Sequence, residues 1–424
     1  MNNEEADFKT EELFFSQTDQ RGIIQYGNSV FSRVSEYSNV ELSKKPHNIL
    51  RHHDMPKVVF KLFWDYLNEG KPIFAYFKNK TKTGRYYWVL AMAFPIPDGF
   101  ISIRLKPSTD MFKTVIELYN QLLEREKSVK DFDANISFFE NKLKELGFNS
   151  YDKFMMSILT SELVKRSELL YRNDRRSKEV ESKDVPFRVL PALSEAVQEL
   201  IKIELELQGT FVEIDLISKN MLIGTIHLGK IARTAATVSE NLQLLTDEMR
   251  AGSVAFHPQL QKLFALINQS IFEISMIYFQ NEMLLYPKDD KLENDFEVSE
   301  GEARENIRKN IFDRIQKINK EVKEIKEVNS DLMSVMAEFT RISLGMNVIC
   351  ISGKIEIAHI SNHAEISIDN IQDVSEQLDS MKNQNEIVKS SLNGINKLLL
   401  RVGSLSSDLG SYLSRLSDRH KTTV

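Results

Sequence analysis

The feature that most constrains this chain is a seven-residue apolar period in its C-terminal part. After Glu302 one seam runs through Ile311, Ile318, Ile325, Leu332, Phe339 and Met346, with Ile315, Val322 and Met336 beside it. A second stretch carries Ile371, Leu378, Leu392, Leu399 and Leu413 on one seam and Val374, Met381, Val388, Ile395, Val402, Leu409 and Leu416 on the other. Such a period keeps one stripe of a helix turned toward a partner, which selects a coiled coil or long helical bundle over a compact globule. Asn329, Asn385 and Ser406 interrupt the seams. Polar seam residues either fix register at some cost in stability or are tolerated defects. Upstream, Leu193, Leu200, Leu207, Ile214 and Met221 form a further seam.

The first quarter follows another pattern. Pro56 suits the first turn of a helix with Val59, Phe60, Phe63 and Leu67 on its apolar face, Asp54 placed to cap it and Gly70 to stop it. After Pro72 the chain reads as extended. Ile73 to Lys78 and Arg85 to Phe94 flank a hairpin loop from Asn79 to Gly84, and Gly99 to Leu105 adds another β-rich run. Upstream, Leu13 to Thr18 and Gly22 to Tyr26 flank a turn. Two strands, short helices and three strands imply an α+β domain over 1–107, with helices on one sheet face leaving a small pocket. Trp64 and Trp88 are core aromatics or pocket walls, and Lys78, Lys80 and Lys82 alternate like the solvent face of a hairpin.

Within this domain Arg51, His52, Asp54, Met55, Pro56, Phe60, Trp64 and Leu67 follow the pattern of an RHPDMP run and a W-x-x-L. Gly70 and Pro72 come next, and Lys78, Asn79, Lys82, Gly84, Tyr87, Trp88 and Val89 complete K-N-x-x-K-x-G-x-x-Y-W-V. Over this stretch the chain resembles the PAS domain of bacterial aerotaxis receptors. The resemblance implies an FAD cofactor, with Asn28, Arg51, His52, Asp54 and Asn79 as candidate contacts. By side-chain chemistry, Arg51 and His52 can meet a phosphate or flavin edge, Asn28 and Asn79 can hydrogen-bond a heterocycle, and Trp64 can wall the pocket. Two departures stand against retention of a flavin: Ile73 replaces a pocket tryptophan, and His53 replaces the proline after the histidine.

Composition narrows the functional classes. A net charge of −6 argues against a nucleic-acid partner. The single cysteine, Cys350, offers no disulfide framework and fits a reducing cytosol. No apolar run approaches the roughly 18 to 20 residues of a membrane helix, and the acidic start MNNEEADFKTEE does not read as a signal peptide, so a cytoplasmic chain without a membrane span is expected. No nucleophile triad, phosphate-cradling loop or kinase core is legible, and His52 with His53 lacks a second cluster to complete a metal site. A protein without enzyme activity is expected.

Helical character begins after Pro107. Residues 108–172 read as linker helices, Asp110 to Glu126, Lys130 to Leu146 and Tyr151 to Arg172, with Asn173 to Pro186 as an exposed linker. Residues 187–286 and 302–420 then read as two helical hairpins separated by the acidic break Pro287 to Glu302, the first interrupted at Gly252 to Pro258. Ile342 to Ile360 resembles, in degenerate form, the hairpin tip of chemotaxis receptors. Ile342, Asn347, Ile355, Glu356 and Ala358 match its pattern, while Ser352 and His359 replace an asparagine and an arginine and Ser361 to Ile366 lacks the glycine-rich turn. The tip candidates are Asn347, Glu356, Ala358 and His359, and the departures imply weakened contact with the usual kinase and coupling protein.

A weak internal repeat joins the hairpins. Ile217, Ser218 and Met221 stand as Ile342, Ser343 and Met346 do, and Glu240 to Met249 matches Asp369 to Leu378. Two hairpins in one chain would build a pseudo-dimeric four-helix bundle within a monomer, on the order of 70 to 80 Å long at about 1.5 Å per residue; a homodimer is the alternative. The expected function is a PAS sensor that relays a redox or oxygen-linked state through the bundle, with other chemotaxis receptors or signalling proteins as partners. The alternative is a cofactor-free PAS dimerisation module with a helical scaffold.

Overall fold

A computed structural model describes residues 4–171, 185–224, 230–287, 296–360 and 365–421. Most of the stretch read as the linker from Asn173, and residues 361–364, lie outside them. Strands β1 (Phe14–Asp19) and β2 (Ile24–Gly27) precede helices α1 (Ser29–Ser35), α2 (Asn39–Leu42) and α3 (Lys57–Asn68). Strands β3 (Ile73–Lys80), β4 (Tyr86–Ile96) and β5 (Gly99–Leu105) follow, then α4 (Asp110–Ser128), α5 (Phe132–Glu145) and α6 (Tyr151–Tyr171). Among the described residues four long helices follow: α7 (Val185–Gly224), α8 (Lys230–Leu285), α9 (Glu300–Ile360) and α10 (Glu365–Lys421).

The chain divides into two compact units that do not follow chain order. One collects Met1–Phe187, Phe272–Lys317 and Gly410–Val424, the other Arg188–Ile271 and Ile318–Leu409. In the first, the sheet order is β2-β1-β5-β4-β3 with every neighbouring pair antiparallel. Successive residues of a strand point to opposite faces, so the sheet carries two separate chemistries. Ser16, Phe77, Asn79, Ala91, Ala93, Ser102 and Arg104 share one face with a cavity. On the other face, Tyr76 and Trp88 pack on Phe112 of α4, and Phe74 meets Phe272 of α8. Helices therefore cover both faces, where the sequence pattern implied one. This explains why β3 and β4 read as nearly continuous apolar runs.

Two helix ends in this unit are closed by distant carboxylates. The backbone N–H groups of Lys57 and Val58 donate to Glu126 of α4, each at 3.0 Å. Asp54, expected to cap α3, instead accepts from Lys78 at 2.8 Å, and the residue at the cap position is Pro56, which makes no side-chain bond. A carboxylate from another helix satisfies the orphan donors as well as a local cap does. Lys78 is correspondingly largely buried against Asp54 and the Tyr86 ring, not on a solvent face. At the start of α4, Glu162 of α6 accepts from Ser108 N–H (2.7 Å), Ser108 Oγ (2.7 Å), Thr109 N–H (3.2 Å) and Thr109 Oγ1 (2.8 Å). The same fully buried carboxylate accepts from the Tyr76 hydroxyl at 2.8 Å.

The second unit is helical throughout its described residues. Every described residue of the predicted seams in α7, α9 and α10 is buried. Phe339 of α9 meets Phe211 of α7 and Phe256 of α8, and Asn329 of α9 donates to the Leu392 carbonyl of α10 at 3.1 Å. Helix α8 runs unbroken from Lys230 to Leu285 with Pro258 inside it, so the break expected at Gly252 to Pro258 does not occur. Proline removes one backbone hydrogen bond, and burial of Phe256 and Leu260 on either side holds the helix together. Gly252 serves packing: a Cβ there would lie 2.6 Å from the Phe339 ring. Helix α9 contains one stretch, within Glu300–Glu356, whose 18-residue window reaches a mean hydropathy of 1.2 with 33% of it buried. It meets the length and composition of a membrane span where none was expected from the sequence, although a packed core helix has the same composition.

Gly252→Ala is expected to destabilise the helical unit by about 1–3 kcal/mol through the clash with Phe339. Gly209→Ala in α7, whose Cβ would meet nothing within 4 Å, is expected to stabilise by roughly 0.4–1 kcal/mol. Urea unfolding followed by circular dichroism checks both signs, and a stabilised Gly252→Ala variant would contradict the packing role.

Candidate functional site

The sheet face beneath α3 borders a cavity of about 430 Å³. Its apolar wall is Phe60, Phe63, Trp64 and Leu67 of α3, Phe77 of β3, Phe100 of β5 and Phe132 of α5. The amphipathic face of α3 aims its aromatics inward: Phe60 and Phe63 each stand 5.2 Å from the Phe77 ring, and Trp64 meets Phe100 edge-on at 5.7 Å. Gly22, at φ +76°, leaves room for Trp64, whose ring would lie 3.0 Å from a Cβ there.

The polar lining has one sign. Arg51, Lys57, Lys61 and Arg104 line the cavity with Ser16, Thr18, His47, Asn48, Asn79 and Ser102, and among the described residues no carboxylate lines it. The Arg51 guanidinium lies 3.9 Å from the centre of the Phe60 ring and donates to the Met55 carbonyl at 3.4 Å. Lys61 is paired with Asp65, on the exposed side of α3. Arg104 is buried, donating to Ser16 Oγ at 3.0 Å and meeting His47 Nε2 at 2.8 Å. Because guanidinium can only donate, His47 accepts through Nε2. Burial, reinforced by the Arg104 charge, pushes His47 down to about 3, so its ring is neutral near pH 7. Burial likewise lowers Arg104 to about 10, leaving it charged. Asp65 offsets Lys61 and Glu126 lies near Arg51, whereas Arg104 has no carboxylate beside it among the described residues; the remaining positive charge and the aromatic walls suit a planar ligand that carries negative charge.

Of the sequence-derived candidates, Arg51, Trp64 and Asn79 line the cavity, the first and last brought together by a β-bridge. Asn28, His52 and Asp54 are not among its lining residues. Asn28 caps α1, accepting from Phe31 N–H at 3.2 Å and Phe15 N–H at 3.0 Å while donating to the Leu13 carbonyl at 2.9 Å. His52 accepts from Asp54 N–H through Nδ1 at 3.1 Å and stacks on His53, and burial, then the Lys78 charge, lowers it to about 4. His52, His53 and Asp54 place ligand atoms within 4.8 Å of one another. The Lys78 ammonium on the same carboxylate opposes a metal cation there. Trp88 lies on the opposite sheet face, against Phe112. Asn347, Glu356, Ala358 and His359 all lie on α9. Asn347 is half-buried and Glu356 exposed; the last two side chains lie outside the described residues. Sequence reasoning missed Arg104, His47, Lys57, Lys61 and Ser102, although Phe100, Ser102 and Arg104 alternate with Ile101, Ile103 and Leu105, which is a legible two-faced strand.

Residues 24–102 match the model of the PAS fold family. The N-terminal domain is a PAS domain. Its sequence is 38% identical over 112 residues to the aerotaxis receptor of Escherichia coli (strain K12), an alignment covering 25% of this chain and 22% of the receptor. The chain therefore shares about a fifth of the receptor's length, all of it in this N-terminal region. A solved structure, the blue-light activated histidine kinase of Erythrobacter litoralis, aligns with 39% of this chain and 59% of its own at 12% identity and a TM-score of 0.21, too low to support any inference.

The neutral His47 gives the PAS domain a testable pH dependence. Above about pH 6.5 the ring is neutral in both folded and unfolded chains; below that the unfolded chain takes up a proton that the folded domain refuses until about pH 3. Stability should therefore fall as pH falls through this window. The chain's two tryptophans, Trp64 and Trp88, both lie in the domain and report its urea unfolding. His47→Gln should flatten the dependence by up to about 1.4 kcal/mol per pH unit, and an unchanged slope would contradict burial of a neutral ring.

Proposed function

We propose that this chain is a PAS sensor that holds FAD and relays a redox or oxygen-linked change to its helices, without catalytic activity of its own. The observation that carries this reading is the cavity lined by Arg51, Lys57, Lys61 and Arg104, with no carboxylate among its described lining residues, and walled by aromatic rings. Bound FAD would supply reversible electron uptake. Arg51, Lys57 and Lys61, on the α3 side, would face its phosphates, while Phe60, Trp64 and Phe100 exclude water from its ring. The E. coli relative is an aerotaxis receptor, which agrees with such a signal.

The helices sit where a change in the cavity would reach them. Phe132 of α5 lines the cavity, and the N-terminus of α3 is tied to Glu126 of α4. Across the sheet, Tyr76 is the immediate neighbour of the cavity residue Phe77 and bonds Glu162 of α6. A ligand that favours one packing of α3 on the sheet would bias α4 to α6 between two arrangements. The helical unit would be an intrachain pseudo-dimer, a four-helix bundle of two hairpins, supported by Phe339 meeting both Phe211 and Phe256. Its partners would be other chemotaxis receptors or signalling proteins in the cytoplasm, with no nucleic acid, and contact with a coupling protein would be weak because Ser352 and His359 depart from the tip pattern.

Protein expressed with riboflavin and purified in the presence of FAD should show the visible flavin bands and release flavin on denaturation. Arg51→Ala should weaken retention roughly ten- to a hundredfold through loss of a charge-assisted contact. A colourless wild type that releases no flavin would contradict the reading and favour a cofactor-free PAS module used for dimerisation.

A further inference from the structure

The cavity has two cationic regions of different character. Lys57 and Lys61 are exposed on α3, where a strongly hydrated group such as phosphate can keep part of its water. Arg104 belongs to the sheet floor and is only 5% exposed. Among the described residues no carboxylate lies within ion-pair distance of it; its partners are the Ser16 hydroxyl, the neutral His47 ring and the Phe31 ring, whose centre is 5.5 Å from the guanidinium. Beside it on the same strand face, Ser102 lines the cavity with its Oγ buried and without a hydrogen-bond partner. A buried cation without a counter-anion and an orphaned buried hydroxyl both cost stability unless a ligand satisfies them.

We infer that Arg104, Ser102 and Ser16 form a subsite that receives the electron-rich edge, carbonyl oxygen and ring nitrogen, of a planar heterocycle, leaving phosphate groups to the α3 side. The assignment rests on the flavin reading and adds to it the orientation of the ligand, ring inward on the sheet and dinucleotide tail outward. A guanidinium fork matches two adjacent acceptors on a planar edge and holds that edge in one orientation. His47, itself a lining residue, steadies the fork: by accepting one guanidinium N–H it constrains the rest of the group without neutralising it. Ser102 supplies a hydroxyl that can donate to the same edge.

Riboflavin, which has the ring but no phosphate, separates the two regions. The full-length chain freed of flavin would be titrated with FAD and with riboflavin, following flavin fluorescence and the position of the visible bands. Arg104→Gln should weaken both ligands alike, by roughly tenfold or more, and shift the bands of whatever flavin still binds. Arg51→Ala should weaken FAD far more than riboflavin and leave the bands in place. Arg104→Lys, which keeps the charge and loses the fork, and Ser102→Ala should weaken both ligands to a lesser degree; these variants decide the matter if Arg104→Gln does not fold. Loss confined to FAD would put Arg104 on the phosphates and overturn the inference. Unchanged affinity for both flavins in Arg104→Gln, or in Arg104→Lys and Ser102→Ala together, would overturn it while leaving the flavin reading intact. A wild type that binds neither flavin would remove both.

Discussion

The constraint on which this molecule depends is the two-residue alternation of a sheet buried on both faces. Adjacent residues of β3 illustrate it: Phe77 turns into the cavity, and Tyr76 turns the other way to Phe112 and Glu162. Neither residue can slide without the other, because a one-residue slip would exchange the two faces outright. A strand clamped in this way is a short mechanical path between a ligand and a helix. On β5 the same alternation places Arg104 and Ser102 in the cavity while Ile101, Ile103 and Leu105 fill the opposite core.

On the far face one carboxylate gathers the connections. Glu162 closes the start of α4 and holds the Tyr76 hydroxyl, so the first helix after the sheet is anchored by a side chain from the third. One turn on, Arg166 of α6 pairs with Glu282 of α8 at 2.6 Å, within the same compact unit. Removing one partner of such a buried set leaves several groups unsatisfied at once, which is why it fixes a single packing. The end of α8 is held similarly, with Arg304 donating to the Leu284 and Tyr286 carbonyls at 3.0 Å each, where a cation also complements the helix dipole.

The parts legible in the sequence were those governed by local periodicity. The seven-residue seams gave the buried faces of the long helices, as Ile311, Leu332 and Ile371 show, and alternation with turn residues gave the strands. What the sequence hid was tertiary substitution of local roles. Asp54 has the identity and near enough the position of an N-cap, yet a glutamate far along the chain takes that role and Asp54 pairs with Lys78. Lys78 alternates with Lys80 as surface lysines do, yet it is held against Asp54 and the Tyr86 ring. Gly252 and Pro258 look like a helix break because side-chain neighbours are invisible in sequence; beside Phe339 the glycine is a packing residue. In the cavity, resemblance pointed to Arg51 and Asn79, while Asn28 is spent on capping α1 and Arg104 needed the sheet register to be seen.

Transmission across the sheet is tested most directly by amide hydrogen exchange of the full-length chain with and without FAD. Slower exchange in the FAD-bound protein is expected both on the cavity side, in α3, and on the far side, at Ser108 and Thr109, whose N–H groups donate to Glu162. Protection confined to α3 and the cavity-facing elements, with Ser108, Thr109 and α6 unchanged, would contradict a sheet that couples its two faces.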